Sequence, residues 1–112
     1  MSPTPPPDWH RLSYVDGKLA SAVLRLDSEA VSPAGVRDRV AEAWAECHVV
    51  RPDDLPDDDA RAMLAKLRQW IETMGVLQSG QTEASAARQA ERLIRDLAAS
   101  VSAALERMEA SR

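Results

Sequence analysis

The chain contains no phenylalanine, a single cysteine and only two lysines among its 112 residues, and of these scarcities the cysteine count excludes the most. Cys47 by itself makes neither an intramolecular disulfide nor a multi-cysteine zinc site, so the fold must stand without covalent or metal staples, and a reducing, cytoplasmic setting fits. No stretch approaches the ~18 apolar residues of a membrane span. The opening MSPTPPPDWHR has no basic segment followed by an apolar run, so no secretory signal is expected. Excess positive charge is missing too: 14 basic against 18 acidic residues leave a net charge of -4, the wrong sign for a protein held on phosphate by a general field. Phosphate-loop glycines and paired-histidine metal spacings are absent, and His10 is a lone imidazole. Neither a cofactor nor a metal is expected.

Nucleophilic catalysis has one adjacent pair to draw on, Cys47 and His48. Consecutive helical residues point about 100° apart, so the two do not face each other, and a buried small cysteine beside a helix-end histidine accounts for them. The expectation is that the chain is not an enzyme.

What the sequence does contain is helical rhythm. Four prolines, Pro3, Pro5, Pro6 and Pro7, favour an extended lead-in, so residues 1–8 read as a flexible Pro-rich tail and 9–112 as a single helical domain. After Asp8 as a cap, Leu12, Val15, Leu19, Ala22, Val23 and Leu26 recur at steps of three and four, which predicts a helix over 9–27, with a break at Asp16-Gly17 as its weak point. Ser32-Pro33 is a start signal for a second helix that carries Val36, Val40, Ala43 and Cys47, with Trp44 beside the stripe, and stops near His48 ahead of Pro52.

The run RPDDLPDDD breaks the chain and holds most of its acidity: one Arg and five Asp between 51 and 59. Asp57, Asp58 and Asp59 stand where a new helix offers free amides and a positive dipole end, and the rest of the run reads as a solvated acidic loop or the contact for a basic partner. A third helix over 58–74 follows, with Ala60, Met63, Leu64, Leu67, Trp70, Ile71 and Met74 on one wide face and Gly75 placed for a left-handed cap. Thr82 then caps a long fourth helix over 83–110, striped by Ala87, Ala90, Ile94, Leu97, Val101, Ala104 and Met108. Without repeats or β-alternation, the pattern predicts an all-α fold, a small antiparallel bundle of about four helices.

Function enters through surplus apolar surface. The fourth helix has an apolar face wider than a 112-residue monomer comfortably hides, so Leu93, Leu97, Val101, Leu105 and Met108, with the stripe-edge tryptophans Trp44 and Trp70, are the candidate partner-binding residues of a non-enzymatic adaptor that self-associates or docks on a larger protein. A second class of reading uses Arg88, Arg92 and Arg95, which recur on one face of the same helix. They would touch phosphates in a helical accessory subunit of a bacterial nucleoprotein or antiviral-defence assembly, a role resting on size and fold analogy. Acids interleave with these arginines, and the balance would change if Arg61, Lys66 and Arg68 of the third helix came to lie beside them.

Overall fold

The computed structural model describes residues 9–27, 36–76 and 80–110. Within them the chain forms α1 (Trp9–Asp27), α2 (Val36–Cys47), a single 3-10 turn (Pro52–Asp54), α3 (Asp58–Val76) and α4 (Gly80–Ala110), with no strand among the described residues. The helices pack against one another as a bundle. The cap at Asp8 and the start at Ser32-Pro33 lie outside the described residues.

Each helix forms where its apolar spacing says it should, because residues three and four apart share one face and that face has somewhere to go. Leu12, Val15, Leu19, Ala22 and Leu26 of α1, Val40, Ala43 and Cys47 of α2, Ala60, Leu64 and Leu67 of α3, and Ala87, Ala90, Ile94, Leu97, Val101 and Ala104 of α4 make one core. Val23, Met63, Trp70, Ile71 and Met108 are only partly buried against it. α1 runs through Gly17 without a break, and open space surrounds the position of a Cβ there.

Three boundaries differ from the sequence expectation. α3 continues through Gly75 to Val76, so Gly75 is a helical residue and not a left-handed cap. α4 begins at Gly80, which puts Thr82 inside the first turn instead of at the cap. α2 ends at Cys47, one residue earlier than expected, and His48 N–H still donates to the Trp44 carbonyl at 2.8 Å. Terminal turns are the least determined part of a helix, since their last hydrogen bonds compete with water and side chains.

The arrangement is flat. Helix α4 packs on α1, α2 and α3, whereas α3 packs on α4 and the 3-10 turn. At 31 residues α4 is about 46 Å long by helical rise, which accounts for the long dimension of a molecule measuring 47 × 33 × 17 Å. α1 lies antiparallel to α4: the Trp9 indole N–H donates to Glu109 at 3.3 Å near one end and Arg95 donates to Asp27 at 2.7 Å near the other. α3 sits alongside α4 as an edge helix with one covering neighbour.

The segment between α2 and α3 is built more tightly than a solvated acidic loop. Val50 and Leu55 are buried, and so is Asp54, at 6% exposure. Arg11 of α1 grips the Asp54 carboxylate with two bonds, Nε to Oδ1 at 2.6 Å and Nη2 to Oδ2 at 2.9 Å, and the Arg51 backbone N–H donates to Oδ2 at 3.0 Å. Asp57 caps α3 by accepting the Ala60 N–H at 2.8 Å, and Asp58 holds Arg61 at 2.7 Å. Asp57 as cap and Asp58 and Asp59 in the first turn of α3 thus stand where the sequence suggests, whereas Asp54 is an internal tie and not part of a solvated loop.

Candidate functional site

The burial pattern redistributes the apolar surface expected to meet a partner. Leu97 and Val101 are completely buried within the chain itself, because α4 is the helix on which every other helix packs, so in this fold they present nothing to a second molecule. Leu93, Leu105 and Met108 lie along the rims of α4 and are partly buried against the core. Trp44 is partly buried on α2. The helix with the least cover for its apolar face is α3, whose wide stripe has a single helical neighbour.

That asymmetry produces a groove. Lys66, Gln69, Trp70 and Thr73 of α3 follow one another at i, i+3, i+4 and i+7, and so form one continuous row along the helix. Gln89, Arg92 and Leu93 of α4 form the facing row, and the two rows line a concave cleft. Trp70 and Leu93 provide its partly covered apolar floor, both packed against the core. Thr73 Oγ1 donates back to the Gln69 carbonyl at 2.8 Å, which fixes its hydroxyl on the helix. Thus two of the seven candidate partner-binding residues, from different helices, are brought into a single site.

The basic residues separate into two groups. Arg95 donates to Asp27 and lies 4.0 Å from Glu91, and its contact with Asp27 holds its guanidinium above the usual arginine range. Arg61 donates to Asp58 and to the Leu55 carbonyl at 3.2 Å, and Arg68 donates to the Val50 carbonyl at 2.8 Å, so both secure the α2–α3 connection. Lys66 and Arg92 are different. Both are exposed, both line the α3–α4 groove, and neither pairs with an acid among the described residues. Of the three α3 cations whose position bears on the arginine face, Lys66 alone joins it. Arg88 is exposed on α4.

A second, shallower cleft follows the α1–α4 seam, lined by small and apolar residues including Ala20, Val23, Ala98 and Ala99, with Leu24 standing 70% exposed at its margin. Asp16 and Arg95 give it one charge of each sign. Burial, with Glu109 and Glu106 nearby, pushes the Asp16 carboxyl above its ordinary range.

Cys47 and His48 do not form a nucleophile and base. The Cys47 side chain is buried, and burial pushes its thiol up to about 11, whereas His48 is exposed and donates from Nδ1 to the Ala45 carbonyl at 2.9 Å. A thiol in that state carries almost no thiolate at neutral pH. Among the described residues no group of three or more His, Cys, Asp or Glu side chains is arranged to hold a metal ion, and no helix is long and apolar enough to cross a membrane.

Sequence reasoning found the candidate residues Trp70, Leu93 and Arg92 but not their company. The i, i+3, i+4, i+7 row on α3 was legible in principle; that it lies beside Gln89, Arg92 and Leu93 depends on which helix covers which, and the spacing within one helix does not encode that. Compared with family models, curated proteins and solved structures, the chain has no significant match.

Proposed function

We propose that this chain is a non-enzymatic helical docking module that binds another protein through the groove between α3 and α4, in a reducing, cytoplasmic setting. The observation that carries the reading is the convergence of Trp70 and Leu93, from two helices, on one concave surface while Ile94, Leu97 and Val101 of α4 are packed inside. Tryptophan supplies a large contact area at low entropic cost, and an aromatic in a partly desolvated cleft is the kind of residue that dominates binding energy. The non-enzymatic half of the proposal draws on the burial of Cys47 away from His48, which is exposed and bonded to the Ala45 carbonyl.

Docking on a different protein is favoured over self-association through the same groove. A two-fold pairing of identical grooves would set Lys66 and Arg92 against their own copies, and like charges across an interface oppose assembly. The nucleoprotein reading, an accessory subunit contacting phosphates, draws on the neighbouring Lys66 and Arg92 with exposed Arg88, but it loses Arg95 to Asp27 and Glu91.

The test is recovery of partners from the native host with the wild-type chain and with a Trp70→Ala, Leu93→Ala variant. The reading expects a defined protein to accompany the wild type and Leu24→Ala, and to be absent with the groove variant at unchanged helical circular dichroism. Equal recovery by all three chains overturns it.

A further inference from the structure

The α3–α4 groove has a charge character at odds with the molecule that bears it. The whole chain carries 18 acids against 14 bases, yet among the described residues the seven that line this cleft include two cations and no acid. Lys66 lies on the α3 wall and Arg92 on the α4 wall, on either side of an apolar floor, and the carboxamides of Gln69 and Gln89 add neutral donors and acceptors. The α1–α4 cleft, by contrast, has one acid and one cation on its rim.

We propose that the groove takes an acidic segment of its partner protein, seating an apolar side chain on Trp70 and Leu93 while carboxylates on either side of it meet Lys66 and Arg92. The proposal rests on the docking reading of the same groove and adds the chemistry of what docks. Two cations that have no acid to satisfy them among the described residues are matched by two carboxylates, and Arg92 presents a planar fork suited to bidentate contact with one of them. A nucleic acid fits less well. Phosphate tracking relies on several cations in series, and here Arg61, Arg68 and Arg95 are already bound to partners within the fold.

The experiment measures binding of short fluorescein-labelled probes to the full chain at low salt by polarisation: a peptide of repeated Glu-Leu-Ala, the same peptide with Gln in place of Glu, and oligothymidine. The glutamate peptide is expected to bind best and to weaken as salt is added. Lys66→Glu with Arg92→Glu should weaken it by about tenfold or more, since each rim charge steers and holds the ligand. The milder pair Lys66→Gln and Arg92→Gln should fall between, and circular dichroism reports on the fold of each variant. Trp70→Ala should weaken both peptides.

Equal binding of the two peptides, untouched by the charge variants but lost in Trp70→Ala, overturns the acidic partner and leaves the docking groove standing. Absence of peptide binding, or binding indifferent to Trp70 and to both cations, overturns the two together. Oligothymidine binding more tightly than the glutamate peptide and depending on Lys66 and Arg92 assigns the groove to nucleic acid instead.

Discussion

Asp54 shows how far one residue's role depends on its neighbours. In the sequence it is one of five aspartates in a nine-residue acidic run, and nothing in its type separates it from Asp53. In the fold it is the buried member of an ion pair whose other member, Arg11, remains 45% exposed. The two halves of the pair should therefore differ on mutation. Arg11→Met strands a buried carboxylate that keeps only the Arg51 amide, a loss of about 2–3 kcal/mol, whereas Asp54→Asn leaves an arginine that water can solvate, a loss of about 1–2 kcal/mol. Urea denaturation at neutral pH measures both. The Arg11 guanidinium, opposed by burial and helped by the Arg51 amide, holds the Asp54 carboxyl below its ordinary range. A depressed carboxyl contributes stability that is fully present above its unfolded pKa, near 4, and is lost as pH falls through the lower folded value. Stability of the wild type should accordingly drop on acidification below about pH 4 more steeply than that of Asp54→Asn. Equal acid slopes would remove the pair from the account.

At the scale of the helix, apolar period was enough to locate elements and most of their buried faces. Leu12, Val15, Leu19, Ala22 and Leu26 are buried as their spacing predicts, and α1 has the bounds expected for it. What spacing lacked was the depth of each face. Leu97 and Leu105 belong to the same helix and are chemically identical, yet Leu97 is fully buried and Leu105 only partly. Leu97→Ala should cost about 2–5 kcal/mol, the range for a cavity in a packed core, and Leu105→Ala about 1 kcal/mol, both read from thermal or urea unfolding. Gly17 offers the opposite case. It occupies an exposed position in a continuous helix with room for a methyl group, so Gly17→Ala should stabilise by about 0.5–1 kcal/mol. A destabilised Gly17→Ala would mean that α1 bends there after all. The boundary errors at Gly75 and Thr82 share a cause: glycine and threonine are strong end signals only where the next turn has nothing better to do, and here the helices extend past both.

For the whole molecule, the decisive fact is that α4 is central and α3 is at the edge, and this order of packing is carried by no single stretch of sequence. It explains why the longest apolar stripe is the best hidden and why a groove opens where α3 meets α4. It also bears on assembly. With cations on both walls of the groove, the purified chain should sediment as a 12.3 kDa monomer at micromolar concentration, and a dimer that dissociates in Trp70→Ala would show that the groove prefers a second copy. Exposed Leu24, Tyr14 and Val49 are no argument to the contrary, because a few exposed apolar side chains are ordinary on protein surfaces. The central claim is met most directly by placing the photocrosslinking residue benzoylphenylalanine at Gln69 in the groove, at Ala20 on the α1–α4 seam and at Ala45 on α2, all exposed positions, and irradiating each chain in its native host. The account predicts one identifiable protein adduct from the Gln69 position, abolished by Trp70→Ala, and none from the other two; adducts from Ala20 or Ala45 with none from Gln69 would contradict it.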